Sequence, residues 1–167
     1  RLFEPSDAAA LSLLGRESFV AKFGHLYAPD DLEAFLTKVY AESVIAQEMA
    51  RADVACCLAV DDDRLAAYCK LWLCCGWPEY ARGLRVIELG QLYTDPALTG
   101  QGIGAKLMDW ALTKAREYGA DEIQLSVFSE NFGAQRFYAR YGFEKVGDTT
   151  FHVGNHIDHE FLFAAML

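Results

Sequence analysis

Apolar residues recur every three or four positions over the first fifty residues, a spacing that is typical of amphipathic helices. The pattern predicts a first helix that begins after Ser6 and Asp7 and ends at about Phe23. A second helix, capped by Asp30 and Asp31, and a third over about 42–51 are predicted to follow. Residues 2–3 are predicted to form a short opening strand. The N-terminal third is therefore predicted to be mainly helical.

From residue 54 onwards, runs rich in apolar and β-branched residues alternate with turn residues and helical stretches, and these runs predict strands. The predicted strands span 54–60, 65–74, 84–94, 123–128, 143–146 and about 150–166. Asp61, Asp62 and Asp63 are predicted to form the tight turn of a hairpin between the first two strands. Two further helices are predicted, one that ends at Tyr118 and one over 131–141.

This order of elements predicts a single α/β domain over residues 1–167. Its centre is predicted to be a mixed, mostly antiparallel sheet of about six to seven strands, flanked by four or five helices. The share of hydrophobic residues, 53%, is sufficient for one sizeable core. Because the chain starts at Arg1 rather than Met, a few residues are expected to be missing before it.

Charge and hydropathy argue against two classes of binding partner, nucleic acids and membranes. The formal net charge of −9, without runs of lysine and arginine, argues against binding to nucleic acid and suits a cationic small molecule better. No segment has the length and apolarity of a membrane span or the pattern of a secretion signal. The sequence thus predicts neither a nucleic-acid partner nor a membrane partner.

The five cysteines predict a reducing, cytoplasmic environment. Four of them occur as adjacent pairs whose side chains would point to opposite faces of a strand, so a disulfide framework is not expected. No CxxC spacing predicts a zinc site. A late group of histidines lies outside the predicted helices and has no carboxylate–histidine motif, so no metal is predicted. These histidines are His152, His156 and His159.

Three glycines fall within five positions of the segment LTGQGIGAKL, residues 98–107, between a predicted strand and a predicted helix. Glycine lets the backbone approach a ligand closely, and a helix N-terminus attracts anions. The glycine spacing does not indicate a dinucleotide-binding site, because that motif requires an acidic residue at the end of the next strand and the predicted strand here ends in Phe128 and Ser129. A nucleotide-binding P-loop is also excluded, because its lysine follows a glycine and Lys106 follows an alanine. A simple tight turn explains one glycine better than three.

Together with two neighbouring segments, this loop resembles the signature of the GNAT superfamily of acetyl-CoA-dependent N-acetyltransferases. The resemblance is carried by residues 92–96, 100–105 and 131–143, and it is strong over 84–146. It implies a GNAT-like fold for the whole chain and acetyl-CoA as the cosubstrate. The family usually has arginine or glutamine at the first position of the loop, and this chain has Thr99 there.

The resemblance also implies which residues hold the cofactor. The amides of the glycine loop would bind the pyrophosphate, and the edge of the preceding strand would pair with the pantetheine arm. Asn131 would reach the cofactor by its side chain, although asparagine at this position is also a common helix N-cap. The implied cofactor-binding residues are Leu92, Tyr93, Thr94, Gly100, Gln101, Gly102, Ile103, Gly104, Ala105 and Asn131.

Tyr138 is the candidate general acid, because it matches the proton-donating tyrosine of the family. A phenol is neutral at pH 7 and can donate a proton to a departing thiolate. The same tyrosine also fits an apolar stripe of its helix, together with Phe137 and Tyr141. Both roles stay open on the sequence alone.

Glu88 is the candidate general base, since its even separation from Leu92 in a strand predicts that both side chains face the same side. A solvated or salt-bridged glutamate is the alternative. Some branches of the family carry a glutamate at the position that is Ser126 here, so a general base at that position is excluded for this chain. Gln91 is expected to face the other way and to be structural.

The family builds its acceptor pocket from the N-terminal helices and the last strands. Candidate walls are Phe23, Tyr27, Trp72, Trp77 and Phe151. Residues 151–154 with Asp158 resemble a bacterial branch that includes polyamine acetyltransferases, so a primary amine on a small cationic acceptor is expected to be acetylated by direct transfer. A non-catalytic acyl-CoA-binding or sensor module and acetylation of protein N-termini stay open as alternatives. A homodimer through the late strands is a further expectation from such folds.

Overall fold

The computed structural model describes residues 1–62 and 64–167, and a six-stranded sheet with helices on both faces forms the centre of this part of the chain. Asp63, the last residue of the predicted hairpin turn, lies outside the described residues. In chain order the elements are α1 (Ala8–Phe23), α2 (Pro29–Tyr40), α3 (Glu42–Met49), β1 (Val54–Asp61), β2 (Arg64–Trp72), β3 (Val86–Thr94), α4 (Ile103–Tyr118), β4 (Glu122–Phe128), α5 (Phe132–Ala139), β5 (Glu144–Val153) and β6 (His156–Met166).

The strands lie in the order β1-β2-β3-β4-β6-β5. Every neighbouring pair is antiparallel except β3 and β4, which are parallel and joined by the crossover through α4. The predicted fold class, a mixed and mostly antiparallel sheet flanked by helices, is confirmed. Strand β5 is an edge of this sheet, and the homodimer through the late strands stays a prediction.

Most element boundaries fall close to the predicted ones, with two exceptions at the chain ends. The predicted last strand over about 150–166 is wrong, because Gly154 adopts a positive φ of 56° and starts a turn there. Residues 150–153 therefore complete β5, which began at Glu144, and only His156 onwards belongs to β6. The predicted opening strand reduces to one isolated bridge between Leu2 and Cys57.

Local sequence explains how the helices begin and end. Pro29 opens α2 at its first position, where a missing N–H is harmless, and Asp30 and Asp31 occupy the first turn rather than the cap. Helix α4 ends where Gly119 adopts a positive φ of 80°. The glycine frees the chain to turn back into β4.

The two faces of the sheet have separate cores. Helix α4 covers one face, where Met108 and Ala111 are fully buried against side chains such as Leu89 and Ile123. Helices α1 to α3 cover the opposite face, where Leu11 packs with Tyr68. The two faces are called the α4 face and the α1 face below.

A bulge interrupts the pairing of β2 with β3. Lys70 lies opposite Gln91, but the next pair is Leu71 with Leu89, so Gly90 has no partner across the ladder. A Cβ at Gly90 would lie 2.6 Å from atoms of the Trp72 ring, which explains why glycine occupies this position. The extra residue reverses the alternation of side chains on either side of it.

Strands β3 and β4 separate soon after they meet. Their parallel pairing covers only 86–88 with 122–124, although β3 continues to Thr94 and β4 to Phe128. Beyond these three pairs the facing backbone edges of the two strands have no ladder partner among the described residues. The divergence opens a cleft through the sheet.

Candidate active site

The cleft between β3 and β4 has a volume of about 830 Å³ and connects the two faces of the sheet. On the α4 face it is lined by Leu92, Thr94 and residues of α5, and this part is called the α4-side half. On the α1 face it is lined by residues of α1 and by side chains of β4, β5 and β6, and this part is called the α1-side half. Two reactants could thus meet in the gap of the sheet from opposite sides.

The glycine loop forms the entrance of the α4-side half. Gly100 and Gly102 have φ angles of +81° and +80°, a region that side chains rarely adopt, and a Cβ on either would meet no atom within 4 Å. These two glycines are therefore required by backbone conformation and not by lack of space. Gly100 and Gly104 line the cleft.

Helix α4 begins directly after this loop and has no side-chain cap. The first backbone N–H groups of a helix have no partner within it, so the amides from Gly102 to Ala105, which have no side-chain cap in the described part of the chain, can bind an anion. The Thr99 hydroxyl donates 3.2 Å to the backbone oxygen of Pro96 and is thus engaged within its own turn. The described geometry fits a pyrophosphate held by backbone amides.

Asn131 caps α5. Its side-chain Oδ1 accepts a hydrogen bond of 3.3 Å from the amide of Ala134, which is the N-cap arrangement. Asn131 also lines the cleft, and its Nδ2 group donates to no described residue. Capping and contact with a ligand are compatible at this position.

Tyr138 lines the cleft. Its ring packs against Phe137 and Phe143, with centroids 5.5 Å and 5.7 Å away, and its hydroxyl makes no hydrogen bond within residues 1–62 and 64–167. Burial raises the pKa of Tyr138, and the nearby Cys69 and Tyr93 raise it further. The hydroxyl is thus held in its protonated form, as a proton donor requires.

Glu88 points away from the side that the sequence predicted. It lies opposite Trp72, and the bulge at Gly90 places it on the α1 face with Lys70, whereas Leu92 is on the α4 face. The prediction of a shared face counted residues evenly along β3 and is wrong, because Gly90 adds one residue to the count.

The surroundings of Glu88 are those of a packed carboxyl group outside the cleft. Burial raises its pKa and Lys70 lowers it, and a Cβ on Gly76 would overlap its carboxylate. Glu88 does not line the cleft. Gln91 does face away from Leu92, as expected, and takes part in a hydrogen-bond chain described below.

Glu160 is the acidic side chain of the cleft that the sequence analysis missed. It lies on β6 opposite Phe128, and it lines the cleft near Ser126. Burial raises the pKa of Glu160, the Ser126 hydroxyl opposes the rise, and Asp158 adds to it. The sequence did contain one indication of this site, the spacing of Asp158 and Glu160. These two acids occupy alternate positions of a strand and share the face on which Leu162 is buried.

Asp158 stands two residues before Glu160 on the same face of β6 and is buried, whereas Glu160 is half-buried. It accepts a hydrogen bond of 2.5 Å from the Tyr27 hydroxyl, and His156 Nε2 lies 3.0 Å from its other oxygen. Two carboxyl groups, Asp158 with Tyr27 and His156 beside it and Glu160 with Ser126 beside it, make the α1-side half acidic.

The aromatic residues proposed as acceptor walls divide into two groups. Phe23, Tyr27 and Phe151 line the α1-side half of the cleft. Trp72 instead lies under the Lys70 ammonium, 4.8 Å from the ring centroid. Trp77 is held by its backbone, whose N–H and oxygen both lie 3.2 Å from the side chain of Gln124. Neither tryptophan lines the cleft.

Each histidine of the late strands has one polar side-chain partner among the described residues. His159 lies 2.8 Å from Asp148, His152 lies 3.1 Å from Thr150, and His156 contacts Asp158. Among residues 1–62 and 64–167, no three histidine, cysteine or acidic side chains are grouped as metal ligands. In the same part of the chain, every helix is too short or too polar to cross a bilayer.

Comparison with known proteins identifies the family of this chain. The sequence model of the Acetyltransferase (GNAT) family matches residues 20–143. An uncharacterized N-acetyltransferase of Mycobacterium tuberculosis is 30% identical over 158 residues, which are 94% of this chain and 96% of that protein.

Two solved structures share the fold. PaiA N-acetyltransferase from Thermoplasma acidophilum, in complex with coenzyme A, superposes with a TM-score of 0.81 at 22% identity and covers 100% of this chain and 97% of its own. The ribosomal-protein-S18-alanine N-acetyltransferase from Escherichia coli gives a TM-score of 0.73 at 15% identity, over 99% of this chain and 91% of its own. At these identities the similarity is one of fold.

Proposed function

This chain belongs to the GNAT family of acetyltransferases, and on that basis we propose that it transfers the acetyl group of acetyl-CoA directly to a primary amine of a small, cationic acceptor. The observation that carries the proposal is the cleft through the sheet, which has a protonated tyrosine on one side and a carboxyl group with a raised pKa on the other. Direct transfer needs both reactants aligned at one point, and the gap between β3 and β4 offers that point.

Acetyl-CoA supplies the acetyl group as an activated thioester. The free amides at the start of α4 would bind its pyrophosphate, and Gly100 and Gly104 allow the close approach. The unpaired edge of β3 at Leu92 to Thr94 would bind the extended arm as a neighbouring strand would. N–H groups of this edge would also bind the carbonyl oxygen of the acetyl group.

Tyr138 would supply the proton that the departing sulfur needs. Its hydroxyl has no other partner in the described chain, and Tyr138 lines the cleft together with Leu92 and Ala134. Because burial keeps the phenol protonated, the donor is present throughout the neutral pH range.

Glu160 would accept a proton from the acceptor amine, directly or through water. Its pKa is raised by burial, so the carboxylate is a stronger base than an exposed glutamate. With Asp158 beside it, the same wall would attract an acceptor that carries positive charge. The net charge of −9 supports the same choice of acceptor.

An acceptor panel tests this function. Purified protein is incubated with acetyl-CoA and with diamines, aminoglycosides, amino acids and peptides with free N-termini, and released coenzyme A thiol is measured. Turnover that is confined to the cationic small amines is expected. Turnover confined to the peptides would replace the acceptor class with protein N-termini.

A ligand-binding measurement separates the remaining outcomes. If acetyl-CoA raises the melting temperature but no amine is acetylated, the chain acts as an acyl-CoA-binding module and the proposal fails. If saturating acetyl-CoA leaves the melting temperature unchanged, the cofactor assignment fails as well.

A further inference from the structure

Tyr93 ends a chain of hydrogen bonds that crosses the α1 face of the sheet. Tyr68 donates from its hydroxyl to Gln91 Oε1 at 3.2 Å, and Gln91 Nε2 donates to the Tyr40 hydroxyl at 3.5 Å. The hydroxyls of Tyr40 and Tyr93 lie 3.0 Å apart. Tyr68 and Tyr40 are fully buried, whereas Tyr93 lines the cleft.

The partners available in this chain determine which way each hydroxyl hydrogen points. The Tyr40 oxygen already accepts from Gln91, and within the described residues Tyr93 is its other hydroxyl partner. If Tyr93 donated to Tyr40, the Tyr40 hydrogen would be buried without an acceptor, which is unfavourable. Tyr40 therefore donates to Tyr93.

Tyr93 is thus left with a hydroxyl hydrogen that has no acceptor in the described chain. Burial raises the pKa of Tyr93, the hydrogen bond from Tyr40 lowers it, and the nearby Glu160 carboxyl group raises it. Tyr93 lines the cleft together with Glu160 and Tyr138, the proposed base and the proposed acid.

A second polar group lies on the same side of the cleft. Ser18 of α1 is buried, with 9% exposure, and its hydroxyl has no hydrogen-bond partner within the described residues. Ser18 lines the cleft together with Gln91 and Tyr93. Buried polar groups are normally satisfied by protein, water or ligand, so this wall is suited to a polar ligand group.

We propose that Tyr93 is a specificity residue whose fixed hydroxyl donates a hydrogen bond to an oxygen atom of the acceptor. The acceptor class would then be amines that carry a hydroxyl, ether or carbonyl oxygen in addition to the reacting nitrogen. This inference rests on the proposed function only for the location of the acceptor, on the α1 face opposite the glycine loop.

A pair of small amines of equal size tests it. Ethanolamine and propylamine differ by a hydroxyl in place of a methyl group, and kcat/KM is measured for both with the wild type and with Tyr93→Phe. The wild type is expected to favour ethanolamine, and Tyr93→Phe to reduce the ethanolamine-to-propylamine ratio by about five- to tenfold, the equivalent of one hydrogen bond. Differences in amine basicity cancel in the comparison of the two proteins.

Two further variants separate recognition from general disturbance. Tyr118→Phe removes a hydroxyl at the exposed end of α4 and is expected to leave the ratio unchanged. Tyr40→Phe keeps the Tyr93 hydroxyl but removes the group that orients it, so the ratio is expected to fall by a smaller factor. A ratio that is the same in the wild type and in Tyr93→Phe overturns the inference.

Equilibrium binding gives a result that does not depend on turnover. The complex with coenzyme A is titrated with each amine by calorimetry, for the wild type and Tyr93→Phe. Tighter binding of ethanolamine that is lost in the variant supports the inference even if neither amine is acetylated and the proposed function fails. Equal binding of the two amines, or no binding of either, overturns it.

Discussion

At the scale of single residues, the position of Gly90 determines which carboxyl group can serve the reaction. One unpaired residue turns Glu88 away from the α4 face and towards Lys70, and the acidic side chain in the cleft is Glu160 from the other half of the sheet. A count along the sequence cannot detect a bulge, because the extra residue is recognised only by its missing cross-strand partner.

Replacement of Tyr138 by Phe is expected to lower kcat by about 10²–10⁴-fold, the range found when a general acid is removed. The Tyr138 hydroxyl bonds to no described residue, so the melting temperature is expected to stay within a degree or two of the wild type, as for a substitution worth about 0.5 kcal/mol or less. Steady-state kinetics and a thermal melt check both expectations. Unchanged kcat would remove Tyr138 as the acid.

Replacement of Glu160 by Gln is expected to lower kcat/KM and to remove the acidic limb of its pH profile. The base must be ionised to act, and burial raises its pKa, so the wild-type limb is expected at a higher pH than an exposed glutamate would give. The folded state holds this proton more tightly than the unfolded state, so ionisation of Glu160 reduces stability as the pH rises through its raised pKa. The Gln variant is therefore expected to melt no lower than the wild type at pH 7.

Two matched variants complete this experiment. Glu117→Gln changes an exposed glutamate near the end of α4 and is expected to leave the profile unaltered. Glu88→Gln distinguishes the two carboxyl groups. If Glu88→Gln abolishes the acidic limb and Glu160→Gln retains it, the assignment of the base is reversed.

At the scale of elements, the helices and strands with strong periodicity were predictable, and their junctions were less so. The helices of the N-terminal third and the central strands fall within a few residues of their predicted positions. The boundary between β5 and β6 was missed because the prediction treats residues 150–166 as one strand rich in β-forming residues, although Gly154 and Asn155 form a two-residue turn of a type that favours a hairpin.

The candidate site was predictable only as far as its residues are close in sequence. The glycine loop, Asn131 and Tyr138 occur within 40 residues of one another and carry a recognisable spacing. Glu160, Ser18 and Tyr27 come from distant segments, and the cleft brings them together only through the order of the strands. Sequence spacing contains no information of that kind.

The glycine loop yields a prediction of its own. Gly102→Ala places a side chain at a φ of +80° and is expected to cost about 1 kcal/mol in the free energy of unfolding and to weaken acetyl-CoA binding severalfold. Gly142 is a matched control, since its φ is +83° and a Cβ there would also meet no atom within 4 Å. Gly142→Ala should show a similar loss of stability with an unchanged Kd. Equal Kd changes in both variants would contradict a specific role for the loop.

At the scale of the whole molecule, three parallel pairs connect two groups of strands. Strands β1 to β3 form one group, and β4, β6 and β5 form the other, with the pairs of 86–88 and 122–124 between them. The cleft widens from this junction, and its walls come from both groups. A ligand in the cleft therefore bridges the two groups.

Acetyl-CoA is accordingly expected to stabilise the molecule as a unit. At a concentration one hundred times its Kd it should add about 2.7 kcal/mol to the free energy of unfolding. Hydrogen exchange should slow most at residues 89–94 and 125–128, where the strand edges have no partner in the free protein. Protection that is confined to the glycine loop would show that the ligand does not enter the gap.

The early separation of β3 and β4 also limits the width of the molecules that can bind between the two strands. Bare strand edges normally recruit other polypeptides, but here they lie inside a slot that is walled by α1 on one side and α5 on the other. A slender, unbranched chain can lie along such a slot, whereas an extended peptide with bulky substituents on both of its sides would collide with the two helices. The fold thereby displays backbone hydrogen-bonding groups to a flexible cofactor arm and hides them from the aggregation-prone strands of its neighbours.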